Sequence, residues 1–279
     1  MKIGIVGLGL IGGSLALDLR PKGYRILGVS RKEETCRAAL HRGIVDDAST
    51  NLSLLATADA IFICSPISLI VPIVKELIPH VSADTILTDV GSVKTPIVQE
   101  INEIWPNFVG GHPMAGTAES GLDAAISNLF AGRPYVLTPV ETTPPEAVKT
   151  VEEIARSLGS QIYFCTPEDH DRAVAWISHL PVMVSAGLIA SCIGETDGKV
   201  VKLAQNLASS GFKDTSRVGG GNPELGVMMA RYNRGALLRS LQQYRRTLDK
   251  LIADIEREDW DSLEQQLKET QQARPDFLP

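Results

Sequence analysis

Three glycines near the start of the chain restrict its fold most. Gly7, Gly9 and Gly12 form the pattern G-x-G-x-x-G directly after the apolar run KIGIVG and at the start of a helical pattern. In such a unit the first glycine permits a tight turn, the second lets the backbone approach a pyrophosphate, and the third lets helix pack on strand. The helix start also attracts phosphate through its free N–H groups. We therefore predict a dinucleotide site formed by Gly7, Gly9, Leu10, Ile11 and Gly12.

The residues after the second apolar run, RILGV at 25–29, bear on which dinucleotide binds. An Asp or Glu at that point would accept a hydrogen bond from a free ribose 2′-hydroxyl. This chain has Ser30, Arg31 and Lys32 instead, and a guanidinium pairs with a 2′-phosphate. Thr35 can add a hydroxyl. We predict NADP rather than NAD, bound by Ser30, Arg31 and Thr35; the alternative is that the two cations are solvated surface charges.

The order of apolar runs and helical patterns indicates the fold class. Up to residue 165, short β-branched runs alternate with helical spacing, which predicts a doubly wound parallel sheet. From residue 166 onward the spacing is helical throughout. We predict an α/β protein with an N-terminal Rossmann-like doubly wound sheet over 1–165, followed by an all-α C-terminal domain over 166–279. The predicted strands are 2–7, 25–29, 60–64, 85–89, 107–109, 134–138 and 160–164; the predicted helices are 10–20, 33–42, 66–78, 93–104, 144–158, 170–193, 197–210, 223–231, 233–257 and 259–273.

One of these helices has an unusually wide apolar stripe. In 237–255, residues such as Leu241, Leu248 and Ile252 recur at three- and four-residue steps. The stripe fits the core of a helical domain and also fits a surface buried against a second subunit, and the two interpretations are compatible. We expect a homodimer that forms through the helical domain.

Composition narrows the class of partner. The chain has 279 residues and a net charge of −6, which argues against nucleic acid and against an anionic membrane surface. No stretch approaches the roughly 18 uninterrupted apolar residues of a membrane span, and the N-terminus leads into a strand instead of a signal peptide. The four cysteines form no C-x-x-C pair, so we expect a cytoplasmic protein without a metal site. Of the classes of partner considered, this leaves a small-molecule substrate.

Two of the predicted strands lead into turns with polar residues. Ser65 and Pro66 follow the strand at 60–64, and the sequence DVGSVK at 89–94 includes Ser92. Ligands of open α/β sheets bind outside the carboxyl ends of the strands. We therefore place Ser65 and Pro66 at the cofactor. For Ser92 two roles stay open, a ligand contact and the N-cap of the helix that begins near residue 93.

A third polar segment, GGHPMAG at 110–116, contains a single histidine. We interpret this segment as a loop at the end of the buried strand 107–109. The unperturbed pKa of histidine, about 6.5, leaves much of it neutral at cellular pH. His112 is therefore a candidate general base. The alternative is a histidine that only stabilises the loop.

The helical half contributes two candidates. His179 lies in the sequence SHLP, and Arg217 lies in the segment 211–223, whose three consecutive glycines interrupt the helical pattern. Arg217 is a candidate clamp for an anionic group, and the alternative is a plain surface charge.

Taken together, these motifs resemble the prephenate/arogenate dehydrogenase family, and most closely its NADP-dependent arogenate type of cyanobacteria and plants. The matching stretches are GLGLIGGS at 7–14, DVGSVK at 89–94, GGHPMAG at 110–116, SHLP at 178–181 and GFKDTSR at 211–217. They follow the family's order over almost the whole chain. The resemblance implies oxidative decarboxylation of L-arogenate to L-tyrosine, with hydride transfer to NADP.

The resemblance also implies roles for individual residues. His112 matches the base that takes the hydroxyl proton, and Ser92 matches the residue that binds the hydroxyl or orients the histidine. Arg217 matches the cation that holds a substrate carboxylate. His179 and Gly111 match residues at the substrate.

Three departures from relatives that prefer prephenate favour arogenate. This chain has Val182, Ala118 and Gly226 where those relatives often have His, an acid and Trp, respectively. Alternatives remain: a prephenate dehydrogenase that uses NAD(P), or a β-hydroxyacid dehydrogenase with Lys199 or Lys202 as its catalytic lysine. A further alternative is an NADP-binding regulator without turnover.

Overall fold

The computed structural model describes residues 1–117 and 119–278, and its largest feature is one sheet. Within those residues the sheet has eight strands in the order β3-β2-β1-β4-β5-β6-β7-β8. They are β1 (Lys2–Val6), β2 (Arg25–Val29), β3 (Asp47–Ser49), β4 (Ala60–Ile63), β5 (Ile86–Asp89), β6 (Phe108–Pro113), β7 (Pro134–Thr138) and β8 (Gln161–Phe164). This order confirms the predicted Rossmann-like sheet.

The sheet differs from the prediction at two strands. β3 was not predicted, because its sequence DAS is short and polar. β6 is longer than predicted, so the interpretation of residues 110–113 as a loop is wrong. The physical reason is a change of partner: β6 pairs in parallel with β5 up to Val109 and then continues antiparallel to β7, where His112 lies opposite Val136. His112 is thereby held in a strand.

Helices cover both faces of the sheet, and their apolar stripes form two cores. Leu15 and Val151 belong to one core, and Ile70 and Ile101 to the other; all four are almost fully buried. Burial of these side chains on both faces explains why the strands read as continuous apolar runs. The helices are α1 (Leu10–Leu19), α2 (Glu33–His41), α3 (Ile67–Leu77), α4 (Thr95–Asn102) and α5 (Pro145–Ser157).

The rest of the chain is helical, which confirms the predicted all-α region among the described residues. A five-residue π-helical turn, Ala175–His179, joins the first two of these helices. One helix, Ser210–Ser216, was not predicted. It occupies part of the segment that we interpreted as an interruption, because the three glycines come only after it. The helices are α6 (Pro167–Val174), α7 (Leu180–Ile193), α8 (Gly198–Leu207), α9 (Ser210–Ser216), α10 (Pro223–Tyr232), α11 (Arg234–Glu256) and α12 (Trp260–Ala273).

The chain forms two compact units, one over Met1–Asn233 and one from Arg234 onward. In the second unit, the buried carboxylate of Asp254 accepts hydrogen bonds from Arg257 and Ser262, which fixes the turn between α11 and α12. Along α11, the stripe residues Leu248 and Ile252 are exposed. The division into domains at residue 165 stays a prediction.

The helical run Pro167–Ile193 is long and apolar enough, by length and composition, to cross a membrane. Its first half nevertheless carries His170 and Asp171, which are buried, and the Asp171 carboxylate is hydrogen bonded to the backbone at the start of α4. These contacts make the first half of the run part of the sheet unit.

Candidate active site

The glycine loop has the backbone shape that a pyrophosphate requires. Gly7 has a φ of +101°, and a Cβ there would lie 2.3 Å from the carbonyl oxygen of Cys64. A Cβ on Gly12 would lie 2.0 Å from the carbonyl oxygen of Gly7. At Gly9, by contrast, no described atom lies within 4 Å of the Cβ position. Gly9 is the N-cap of α1 and makes no side-chain cap, so the first N–H groups of the helix are available to a phosphate.

The loop opens into a cleft of about 480 Å³ at the carboxyl edge of the sheet. Most of the predicted cofactor residues line it: Gly7, Gly9, Ser30, Arg31, Thr35, Ser65 and Pro66. Leu10 and Ile11 lie in the first turn of α1 outside this lining, and Gly12 serves the packing of helix on loop. The structure thus brings the glycine loop together with the residues that follow β2. This arrangement fits a dinucleotide.

A buried ion pair joins the ends of β5 and β6. The Lys94 ammonium donates to the Asp89 carboxylate and, at 2.8 Å, to the carbonyl oxygen of Gly111. Asp89 also accepts from the backbone N–H groups of Gly91, at 2.9 Å, and Gly111, at 3.2 Å. Both charged side chains are fully buried, and burial lowers the pKa of Lys94 although Asp89 opposes that shift. The pair occupies both main-chain polar groups of Gly111 and so fixes the strand that carries His112.

Ser92 does not cap a helix. α4 begins at Thr95, and the Asp171 carboxylate from α6 receives its first N–H groups, with Lys94 N at 2.7 Å and Thr95 N at 2.8 Å. The N-cap interpretation of Ser92 is therefore wrong, because an acid from another helix takes that place. The Ser92 side chain is half-buried, and its hydroxyl has no hydrogen-bond partner within residues 1–117 and 119–278.

A chain of three side chains determines the protonation of His112. Nδ1 of His112 lies 2.8 Å from Nε2 of His170, and Nδ1 of His170 lies 2.9 Å from the Asp171 carboxylate. A carboxylate accepts, so Nδ1 of His170 donates to it, and in the neutral ring Nε2 of His170 then accepts. Nδ1 of His112 then carries the proton. The free nitrogen of His112, Nε2, is left with its lone pair.

The surroundings of His112 also keep it neutral. The side chain is buried, with 8% of its surface exposed. Burial lowers its pKa well below the usual value, and the nearby His170, Lys94 and His179 act in the same direction. A neutral imidazole with a free Nε2 lone pair is a proton acceptor. This is the arrangement that a general base requires.

The predicted substrate residues of the helical region have different surroundings. His179 is fully buried at the end of the π-helical turn, and its Nδ1 lies 3.1 Å from the side-chain amide of Asn233. Arg217 lies at the end of α9, is exposed, and has no ion-pair partner among the described residues. The structure links His179 to the His112 chain through Asn233 and Asp171. Arg217 shares no hydrogen bond with that group in the described residues.

Sequence reasoning missed His170, Asp171 and Asn233. A signal for the first two exists: Thr166 and Pro167 mark a helix start, and the adjacent His and Asp lie in its first turns. Asn233 follows α10 and has no comparable pattern, since only the folded chain brings its amide to Asp171 and His179. Lys199 and Lys202, by contrast, are exposed on α8.

Comparison with known proteins gives matches along the whole chain. The family model described as the nucleotide-binding domain of prephenate dehydrogenase matches residues 15–164, and the one described as its dimerization domain matches residues 166–269. Prephenate dehydrogenase of Bacillus subtilis is 32% identical over 99% of this chain and 75% of its own. The crystal structure of Synechocystis arogenate dehydrogenase is 58% identical, covers 100% of both chains and has a TM-score of 0.92. Prephenate dehydrogenase of Aquifex aeolicus, solved with hydroxyphenyl propionate and NAD+, is 30% identical, covers 99% and 98%, and has a TM-score of 0.94.

Proposed function

The chain belongs to the prephenate dehydrogenase family, and from that premise we propose that it converts L-arogenate to L-tyrosine and CO₂, with NADP as the oxidant. The observation that carries this proposal is the Asp171–His170–His112 chain, which leaves a proton acceptor at the carboxyl edge of the sheet. The 58% identity to an arogenate dehydrogenase supports the choice of substrate.

The protein contributes little covalent chemistry to this reaction. Gly7, Gly9 and the first turn of α1 would hold NADP, which would supply the acceptor for the hydride from C4 of the substrate ring. Nε2 of His112 takes the proton of the C4 hydroxyl, so that the oxygen becomes a carbonyl. The bond between C1 and its carboxylate then breaks, CO₂ leaves, and the electron pair of that bond makes the ring aromatic. The ring and the oxygen end as a phenol once a proton returns to the oxygen.

The residues behind His112 support this proton transfer. When Nε2 gains the proton, Nδ1 keeps donating to His170, and the Asp171 carboxylate faces the far side of His170. The negative charge of Asp171 thereby stabilises the imidazolium without contact with the substrate. We assign Ser92 to the hydroxyl of the substrate or to the orientation of His112, and Arg217 and His179 to its carboxylate. We assign Gly111 to the substrate as well; a Cβ there would lie 2.7 Å from the carbonyl oxygen of Asp89.

The preference for arogenate rests on the contact between α7 and α10. Val182 lies one turn after His179, and a Cβ on Gly226 would lie 3.9 Å from its side chain and from that of Met183. Two of the departures noted in the sequence therefore meet at one apolar place; the third, Ala118, lies outside the described residues. The lack of a cation there suits a substrate side chain that carries an amino group.

The preference for NADP rests on Ser30, Arg31 and Thr35. The three residues line one end of the cleft beside the glycine loop. No acid stands at residues 30–32 to accept a hydrogen bond from a 2′-hydroxyl. The Arg31 side chain is exposed, and no ion pair engages it among the described residues. It is therefore available to a 2′-phosphate.

We also propose that the protein is a cytoplasmic homodimer that forms through its helical domain. The family model over residues 166–269 is described as a dimerization domain. The exposed apolar residues of α11, including Tyr244, Leu248 and Ile255, supply the surface that such a contact would bury.

The test of the function is a matrix of substrates and cofactors with the purified protein. We expect the highest kcat/KM with L-arogenate and NADP. A higher kcat/KM with prephenate would replace arogenate by that alternative, and turnover of 3-hydroxy acids alone would support the β-hydroxyacid dehydrogenase alternative. Binding of NADPH without turnover of arogenate or prephenate would support the remaining alternative, an NADP-binding regulator.

A further inference from the structure

The carbonyl oxygen of Asp171 determines which group donates and which accepts in the hydrogen bonds around His179. The carbonyl oxygen of Asp171 can only accept, so the Asn233 atom 2.7 Å from it is the amide nitrogen, Nδ2. The same Nδ2 lies 3.1 Å from Nδ1 of His179. Because an amide nitrogen donates, Nδ1 of His179 is the acceptor of this pair. In the neutral ring the proton is then on Nε2.

The protonated Nε2 of His179 has no hydrogen-bond partner in the part of the chain that the structure describes, although it is fully buried. Buried polar atoms in native proteins nearly always have a hydrogen-bond partner, so a buried atom without one requires an explanation. Burial lowers the pKa of His179 to about 4, which keeps the ring neutral and leaves Nε2 a donor. The side chain lies at the end of a π-helical turn, a distortion often found at functional sites.

His112 is in the opposite tautomer. Its Nε2 is unprotonated, because the hydrogen bonds that pass from Asp171 through His170 place the proton on Nδ1. Both histidines therefore take their protonation from Asp171, one from its carboxylate and the other from its carbonyl oxygen through Asn233. The ionisable groups that act on His179 are Asp171 and His170.

We propose that Asn233 is a positioning residue that holds His179 in the tautomer with the proton on Nε2. Under the proposed function, the substrate would then meet an acceptor, Nε2 of His112, and a donor, Nε2–H of His179. A cyclohexadienol acid needs both, since its hydroxyl gives up a proton and its carboxylate needs hydrogen-bond donors. The identity of that substrate rests on the proposed function, whereas the tautomer of His179 does not.

The tautomer is measured directly by ¹⁵N NMR of the full-length protein labelled on its five histidines. Protonated and unprotonated imidazole nitrogens differ in chemical shift, and His179→Gln assigns the signals of His179. We expect a neutral ring with the proton on Nε2 in the wild type. In Asn233→Ala we expect a mixture of tautomers or a proton on Nδ1. A wild-type ring with its proton on Nδ1 would refute the inference.

Steady-state kinetics test the consequence. Asn233→Ala should raise KM for arogenate about tenfold to a hundredfold, the range for a hydrogen bond to a charged group, with kcat changed less than about threefold and KM for NADP unchanged. Asn222→Ala is the matched control: Asn222 caps the other end of α10, where its Oδ1 accepts from Glu224 N at 2.9 Å, and its loss should leave KM unchanged.

A double-mutant cycle with His179→Gln completes the test. In that background Asn233→Ala should add little to KM, because no imidazole tautomer is left to hold. An equal increase in both backgrounds, or an unchanged KM in Asn233→Ala, would contradict the proposal. Failure of the wild type to oxidise arogenate or prephenate would instead contradict the proposed function, while the NMR result would still decide the tautomer.

Discussion

At the scale of single residues, His112 differs from a surface histidine through its neighbours. Its Nδ1 is engaged by His170, it is buried, and its pKa is lowered. A low pKa keeps the base form present but weakens its affinity for the proton. The protein therefore fixes the position and the tautomer of the His112 ring and does not make the ring more basic.

Replacement of His112 by Asn should separate catalysis from binding. Asn can keep a polar contact near the position of Nδ1 but has no group at Nε2, so kcat should fall about 10²- to 10⁴-fold while the Kd for NADP stays unchanged. The measurement is steady-state kinetics with a parallel titration of the cofactor. His80→Asn, at an exposed histidine, is the matched control, and near wild-type turnover of His112→Asn would exclude His112 as the base.

Arg31 is the residue that we propose to favour NADP over NAD. Arg31→Ala should weaken NADP more than NAD, because only NADP carries the 2′-phosphate that the guanidinium would hold. The expected loss is about tenfold or more in the Kd of NADP, measured by fluorescence titration. Lys22→Ala, an exposed cation outside the cleft, is the control. Equal losses for both cofactors would contradict a contact between Arg31 and the 2′-phosphate, and no loss for either would make Arg31 a plain surface charge.

At the scale of elements, one carboxylate of α6 joins the start of α4 to the hydrogen-bonded histidines. Asp171 receives the first N–H groups of α4 and also orients His170. Burial raises the pKa of Asp171, but the hydrogen bonds from His170, Thr95 and Lys94 outweigh that effect and lower it. One side chain thus joins the start of α4 to the hydrogen bonds that reach His112.

Two substitutions on α6 should separate these roles. Asp171→Ala should lower both kcat and the free energy of unfolding, the latter by about 1–3 kcal/mol for the N–H groups left unpaired. His170→Gln should lower kcat, since the charge of Asp171 no longer reaches His112, but should spare the start of α4. Chemical denaturation and kinetics on both variants give the comparison. The same loss of stability in both would contradict the separate role of Asp171 at α4.

The strands and helices also show which parts of the fold could be predicted from the sequence alone. Periodicity located β1, β2 and the helices α1 to α5 because their apolar residues repeat at the spacing that burial requires. It failed at β6, where the strand changes partner and polar residues continue it, and at β3, which is too short for a pattern. The glycine loop was recognisable because its backbone chemistry is local. The links from His112 to His170 and from Asn233 to His179 depend on residues far apart in sequence, so no local pattern could reveal them.

At the scale of the whole molecule, buried neutral histidines make stability depend on pH. The pKa of His179 is about 4 in the folded chain, against about 6.5 when it is unfolded. The unfolded state therefore binds a proton first as the pH falls. Stability should be complete above about pH 6.5 and should fall between there and pH 4, with His112 acting in the same direction.

His179→Gln should remove part of this acid sensitivity. From the pKa difference, His179 accounts for about 3 kcal/mol of the loss between pH 6.5 and pH 4. Urea denaturation at a series of pH values measures it. His41→Gln, at an exposed histidine, should leave the wild-type dependence intact. An unchanged slope in His179→Gln would show that His179 is not buried and neutral in solution.

The central claim is that Nε2 of His112 receives the hydroxyl proton of the substrate. The most direct measurement is a crystal structure of the protein with NADP and a phenolic substrate analogue. The predicted result is a distance of about 2.6–3.2 Å between Nε2 of His112 and the analogue's hydroxyl oxygen, with Nδ1 still bonded to His170. A structure in which another side chain contacts that hydroxyl while His112 faces away from it would contradict the account.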